Sequence, residues 1–324
     1  MTDVVRLEGF GSAEQLRLRD IQIGEPDRGE VRLKQYAVGV NPLDISQRRG
    51  EVRIALPSGI GLEGAGVVEA VGAEVTNVRV GDRVAYATGP IGSYAAVRLY
   101  PAERLIKLPG NMSFEEAASV LFKGITAQYL LKTTYPVTKG TSILVYGAAG
   151  GVGQLMASWA KHLGANVIGV VSKEASLERA LAAGCDHVYV FDSTTLAACV
   201  TEATGGMKAD VVYDPIGKQT FETSLDCLRP RGLMVSYGIT SGVPDPVAVG
   251  TLNAKGSLYL TRPSLMAHTL TAEAYQERAT DVLDAIAQGI IRANVSKTYP
   301  LKEAAQAQQD IEQGRSKGSV VLIP

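Results

Sequence analysis

The sequence predicts an α/β protein in two parts: a loop-rich β domain, followed by a doubly wound parallel sheet with crossover helices on both faces. Two contrasting textures carry this. From residue 1 to about 120, short β-like runs are broken by Gly and Pro, whereas from about 122 to 261 apolar β-branched runs alternate with helical stretches. Length supports the division, since 324 residues with 46% hydrophobic and 20% charged content can form two domains, each with its own core.

In the first part the strand-like runs are "EVRLKQYAVGV", "GAGVVEAVG", "DRVAYA" and "SYAAVRL", punctuated by Gly24, Pro26, Pro42, Gly50, Pro57, Gly81, Pro90 and Pro109. In the second they are "SILVYG", "NVIGVVS", "HVYVFD", "DVVYD", "GLMVSYG" and "GSLYLT". The tail, 264–324, adds a long helical pattern ("TAEAYQERATDVLDAIAQG"), a shorter one ("LKEAAQAQQDIEQG") and a last strand ("GSVVLIP"), and is expected to return to the first domain. There is no internal repeat and no low-complexity segment.

Composition narrows the function. Lys plus Arg (32) nearly cancels Asp plus Glu (33), so no global basic field exists to hold nucleic acid or an anionic membrane. The cysteines Cys185, Cys199 and Cys227 are odd in number and lack a CxxC pair, which argues against a disulfide framework or a thiolate zinc site. The N-terminus lacks a basic segment followed by an apolar core, and no apolar run approaches the ~20 residues that cross a bilayer. A soluble, cytoplasmic protein is expected.

The sharpest motif is "VYGAAGGVGQLMASWAKHLGANVIGVVSK", with Gly147, Gly150, Gly151 and Gly153 between a buried-strand pattern and an amphipathic helix. Leu155, Met156, Trp159, Ala160 and Leu163 fall at inward helical spacing, so the glycines form a strand-to-helix turn. Within Ala148, Ala149, Gly150, Gly151, Val152 and Gly153, residues 148, 150 and 153 match the GxGxxG dinucleotide fingerprint, with Ala in place of its first glycine. Missing side chains let a pyrophosphate approach the helix N-terminus. The competing reading, a glycine-rich turn with no ligand, does not explain the strand, the helix and the βαβ repeat around it. At the end of the next strand, where NAD-binding proteins carry an acidic residue, the sequence reads "VVSKE". Ser172 and Lys173 suit a 2′-phosphate and point to NADP(H); the alternative leaves Lys173 solvated and gives the ribose to Glu174.

With the fingerprint, "ASVLFKGITAQYLL", "LEGAGVV", "GDRVAY", "SLDCLRPRGLMVSYG" and "GSLYLTRPSL" in place, the chain resembles the zinc-independent quinone oxidoreductase (zeta-crystallin-like) branch of the medium-chain dehydrogenases/reductases, over essentially its whole length. The resemblance implies a GroES-like catalytic domain (1–122 with 264–324), a Rossmann domain (123–263), NADPH in the cleft and a homodimer.

Zinc alcohol dehydrogenases of this superfamily place a Cys three residues before an Asp and a His just before a Glu. Here those places hold Asn41, before Asp44, and Leu62, before Glu63, and no Cys precedes residue 185. His162, His187 and His268 are scattered, so metal catalysis is not expected. Reducing a simple ketone builds a basic alkoxide, which calls for a Lewis acid or a tuned proton donor. A quinone yields a delocalised phenolate that takes its proton from water, so positioning supplies most of the catalysis.

The resemblance places Asn41, Lys123 and Thr126 at the nicotinamide end, with Tyr237, Gly238 and Arg262 along the cofactor. Each has a plainer reading: a turn before Pro42 for Asn41, a solvated Lys123, a capping or back-bonded Thr126. Asp44 is either a hydrogen-bonding pocket residue or an Asx-turn partner. Three departures stand out. Ser46 replaces a Tyr frequent in the family, which implies a wider acceptor pocket if the position faces the nicotinamide. Ser176 falls where relatives carry a phosphate-binding Lys, and Phe191 where an aromatic hydroxyl is common. The 2′-phosphate then depends on Lys173, with Arg179 as a second candidate.

Two further readings stay open. One is reduction of the activated double bond of a 2-alkenal or enone. The other is an NADPH-regulated RNA-binding or crystallin-like protein, against which the near-neutral charge and the lack of aromatic RNA motifs argue.

Overall fold

The structure, a computed structural model, describes residues 1–316 and 318–324. In chain order its strands and helices begin with β1 (Thr2–Leu7), β2 (Leu16–Ile21), β3 (Glu30–Val40), α1 (Pro42–Arg49), β4 (Ser58–Gly59), β5 (Glu63–Val71), β6 (Arg83–Ala87), β7 (Val97–Pro101), β8 (Ile106–Lys107) and α2 (Phe114–Tyr129). Next come β9 (Ser142–Tyr146), α3 (Gly151–His162), β10 (Asn166–Val171), α4 (Leu177–Ala182), β11 (His187–Val190), α5 (Leu196–Ala203), β12 (Ala209–Asp214), α6 (Phe221–Asp226) and β13 (Leu228–Ser236). Last are α7 (Val249–Ala254), β14 (Tyr259–Thr261), α8 (Leu265–His268), α9 (Ala272–Ala287), β15 (Val295–Pro300), α10 (Ala304–Glu312) and β16 (Ser319–Ile323). Two compact units result: residues 1–123, 269–280 and 292–324, and residues 124–268 and 281–291.

In the first unit a mixed sheet runs β15-β16-β3-β5-β6-β8, with β7 also paired to β3. Its long strand β3 sends Val31 and Leu33 into one core cluster with Val68, Val84 and Tyr100, and Val38 and Val40 into another with Ile60, Tyr94 and Leu322. The first half of β3 alternates and buries one face, whereas residues 37–40 are buried on both faces, which gives the second cluster its side chains. Where β3 ends, Asn41 caps α1, Pro42 takes the first helical position, and Gly50 ends the helix at φ +79°.

The second unit is a parallel six-stranded sheet in the order β11-β10-β9-β12-β13-β14. The chain moves outward from β9 through β10 to β11, then returns to the other side of β9 for β12 onward. This reversal is the topological switch beside which open α/β sheets bind ligands, at the strands' carboxyl ends. The core between sheet and helices includes Leu144, Ile168, Val212, Met234 and Leu225, all buried.

Several elements differ from expectation, among them β1, β2, β4 and β8, which no run read in the sequence covers. The run "SYAAVRL" enters its ladder only at Val97, because Tyr94 is buried and Ala95 makes an isolated bridge to Val4. Helix α1 lay unread in the polar "NPLDISQRRG". Strand β15 was unforeseen because it is an edge strand with a single buried residue, Tyr299.

Candidate active site

In the second unit the fingerprint turn joins β9 to α3. Gly147 adopts φ +62°, a left-handed conformation that glycine takes without strain, and its carbonyl accepts the Gly150 N–H at 2.8 Å. A Cβ on Gly153 would sit 2.2 Å from that carbonyl oxygen, so only glycine lets the first turn of α3 close onto the loop. Ala148 occupies the fingerprint's first glycine position because Gly169 on β10 leaves it room. The α3 terminus has Gly150 as its cap, no side-chain cap bond and no acidic residue in its first turn. Its uncommitted backbone donors and exposed glycine fit a pyrophosphate, with Gly151 and Val152 flanking.

The other carboxyl ends of this sheet supply Ser172, Lys173, Tyr237, Gly238 and Arg262. Ser172 and Lys173 follow β10 and are exposed, as is Glu174. Ser176 is buried and within 3.4 Å of Arg179, so it offers no surface cation in place of the missing lysine. Phe191 packs edge-on against Tyr146. Tyr237 follows β13 with its N–H on the Asp214 carbonyl, and Gly238 is bare because a Cβ would meet the Pro215 oxygen at 2.4 Å. Arg262, after β14, is exposed beside the carbonyls of Ser236 and Gly238. Sequence reasoning missed Asp214: fully buried at the end of β12, it accepts from Ile216 N, Gly217 N, Thr220 Oγ1 and Ser224 Oγ and shapes the loop at the switch.

In the first unit a polar cluster is buried where β3, β5 and α2 meet. Asn41 is 1% exposed; its Nδ2 donates to Glu63 Oε2 at 2.9 Å and its Oδ1 accepts from Lys123 Nζ at 2.9 Å. Lys123, 7% exposed, lies 3.8 Å from the same Glu63 oxygen, so it is a buried ion and not a solvated one. Burial pushes the Glu63 carboxyl up, and the Lys123 charge leads the opposing influences, followed by the Asn41 bond. Asp44 Oδ2 accepts the Asn41 backbone N–H at 2.9 Å, the reciprocal half of a helix-capping box, and the Tyr94 hydroxyl at 3.0 Å. Its Oδ1 has no partner among the described residues. Burial drives Asp44 from 3.8 to about 7, opposed by the Asn41 N–H and Tyr94, raised further by Glu63 and lowered by Lys123.

Asp44 therefore closes the capping box at Asn41, a different arrangement from the expected Asx turn, and also belongs to the cluster. Ser46 does not: half-buried on α1, it donates to Glu51 at 2.9 Å. Thr126 is buried further along α2, within the second unit. At the places where zinc enzymes carry ligands, Leu62 is packed to 1% exposure and the Asn41 amide is committed on both sides, so neither offers zinc a donor. Glu63 was noticed in the sequence only as the neighbour of Leu62; an acid opening an otherwise apolar, glycine-rich strand was the overlooked signal.

Comparison with known proteins decides the family. Residues 27–110 match the alcohol dehydrogenase GroES-like domain, and residues 151–288 match the zinc-binding dehydrogenase domain. A quinone oxidoreductase of Pseudomonas aeruginosa is 45% identical over 100% of both chains. The chain belongs to the zinc-independent quinone oxidoreductase branch of the medium-chain dehydrogenase/reductase superfamily. Within this branch it is also similar to a 2-haloacrylate reductase of a Burkholderia species, 43% identical over 97% of this chain and 96% of that one. Among solved structures of the branch, the Escherichia coli quinone oxidoreductase complexed with NADPH matches with a TM-score of 0.94 and 40% identity, over 99% of this chain and 100% of that one. The GroES-like and Rossmann architecture of the branch is that of the two units described above.

Proposed function

We infer that this chain is an NADPH-dependent quinone oxidoreductase that works without metal or flavin. The observation that carries the reading is a full-length likeness to named quinone oxidoreductases, one of them solved with NADPH, in a chain whose α3 terminus fits a pyrophosphate. The N-terminal N–H groups of α3, with Ala148 to Gly153 around them, hold the pyrophosphate. Ser172 and Lys173 would take the 2′-phosphate, Tyr237, Gly238 and Arg262 would bind the rest of the cofactor, and Asn41, Lys123 and Thr126 are the residues the resemblance assigns to its nicotinamide. Bound NADPH supplies the hydride. Lys123 places a fixed cation where the reduced acceptor gains negative charge, and water delivers the proton that a delocalised phenolate needs. In this reading the GroES-like domain, 1–122 with the tail 264–324, carries the acceptor chemistry and 123–263 binds the cofactor; within the tail, 264–268 and 281–291 group with the second unit.

A second reading is reduction of an activated carbon–carbon double bond, favoured by the likeness to a 2-haloacrylate reductase. It requires a proton at the α-carbon as well as the hydride. Following NADPH oxidation with a panel of quinones, 2-alkenals and 2-haloacrylates separates the two; turnover confined to the alkenes overturns the quinone assignment.

The working unit we propose is a homodimer. Strand β14 is the outer strand of its sheet and exposes Tyr259 (62%) and Leu260 (36%), an apolar edge suited to a second copy. Sedimentation of the protein and of a Tyr259→Lys variant tests this, and a monomeric wild type overturns it. A cytoplasmic location and no nucleic-acid partner complete the reading. Cys185, Cys199 and Cys227 are free thiols, and among the described residues no helix is long and apolar enough to cross a membrane.

A further inference from the structure

Glu63 sits in an arrangement that an amide side chain does not reproduce. Fully buried at the start of β5, it accepts at both oxygens: the Phe122 N–H on Oε1 at 2.8 Å and the Asn41 Nδ2 on Oε2 at 2.9 Å. Gly39 is bare to admit it, since a Cβ there would lie 2.3 Å from Glu63 Oε2 and 2.1 Å from the Ala118 carbonyl oxygen. The Asn41 amide thus stands between an anion and a cation, its NH2 toward Glu63 and its Oδ1 toward Lys123. Turning the amide over would set oxygen against carboxylate and NH2 against ammonium, so the flanking charges admit one orientation.

We propose that Glu63 is a positioning residue of this site: its carboxylate locks the Asn41 amide and draws the Lys123 ammonium against Asn41 Oδ1. Asn41 takes one N–H of the Lys123 ammonium, and Glu63 Oε2 stands 3.8 Å from the same nitrogen. A glutamine at position 63 cannot substitute. It accepts at one oxygen only, so its own NH2 must face either the Phe122 N–H or the Asn41 NH2. Replacing Asn41 with Asp at the same time restores every bond: the new glutamine donates to the new carboxylate and accepts from Phe122, while Lys123 still donates to position 41.

The effect on turnover rests on the quinone reductase reading; the effect on Asn41 does not. The test uses the cofactor-free protein labelled with nitrogen-15, in which the Asn41 side-chain NH2 resonance is identified by its loss in Asn41→Asp. In the wild type a single, exchange-protected resonance is expected. In Glu63→Gln it shifts or splits and exchanges at least about tenfold faster, as expected for a lost charge-assisted bond. In the same variant kcat/KM for a quinone falls by about tenfold or more, and in Asn41→Asp/Glu63→Gln the melting temperature returns toward wild type. An unmoved resonance in Glu63→Gln, or a moved one with unchanged kcat/KM, overturns the proposal. If Glu63→Gln fails to fold, the double variant decides: recovered folding supports the bonding pattern and no recovery overturns it. A wild type that oxidises no NADPH with quinones sinks the functional reading, whereas the resonance still reports on Glu63.

Discussion

Ala148 and Gly169 are a matched pair: a Cβ on Gly169 would come within 2.9 Å of the Ala148 Cβ and 2.7 Å of Cys185 Sγ. The alanine in the fingerprint is tolerated because the facing strand gives up its side chain. Gly169→Ala is therefore expected to destabilise the second unit by ~1–3 kcal/mol through overpacking. Ala148→Gly should recover part of that loss, with the remainder due to Cys185. Urea unfolding of the two single variants and the double variant measures the coupling; a Gly169→Ala change under ~0.5 kcal/mol would show that the pairing carries no weight.

Lys173 stands exposed one residue beyond the end of β10's flanking Ser172. Lys173→Glu should weaken NADPH binding by ~1–3 kcal/mol, through lost attraction and new repulsion, and leave NADH binding nearly unchanged. The difference should shrink as salt rises, because the site is open to solvent. Fluorescence titrations with both cofactors check this. Equal losses for the two would mean that Glu174 or Arg179 reads the ribose instead.

Asp44 makes stability depend on pH. Its folded-state pKa of about 7 lies above the ordinary 3.8, so the folded protein holds a proton that the unfolded chain releases between those values. The neutral carboxyl's contribution is full below 3.8 and is lost as pH rises through about 7. The slope is at most ~1.4 kcal/mol per pH unit. Asp44→Asn, neutral at every pH, should flatten the decline in unfolding free energy across this window. Glu63, also raised, leaves a residual slope in the variant. Parallel curves for wild type and variant would show that Asp44 is ionised in the folded state.

Ser46 tests acceptor size. If position 46 borders the acceptor, Ser46→Tyr should raise kcat/KM for a small benzoquinone relative to a polycyclic quinone of matched potential. An expected change of about fivefold in the ratio corresponds to ~1 kcal/mol. The substitution gives up only the exposed bond to Glu51, so stability should barely move. An unchanged ratio removes Ser46 from the acceptor site.

The sequence by itself determined the parallel sheet and its phosphate turn, because those signals are local. β9, the glycines and α3 occupy consecutive residues, and the strand-to-helix change of period is visible within one short window. Asn41 and Lys123 were reached only through resemblance, and Glu63 was passed over. The reason is distance along the chain: Asn41 meets Glu63 across 22 residues and Lys123 across 82, and Glu63 meets Phe122 across 59. No periodicity encodes such pairings. They exist because β3, β5 and α2 converge in the first unit, and because a bare Gly39 leaves space for a carboxylate. Burial then settled what residue type could not: it made a solvent-seeking lysine an enclosed cation and raised the Asp44 carboxyl to about 7, since a charge removed from water persists only beside partners that replace it.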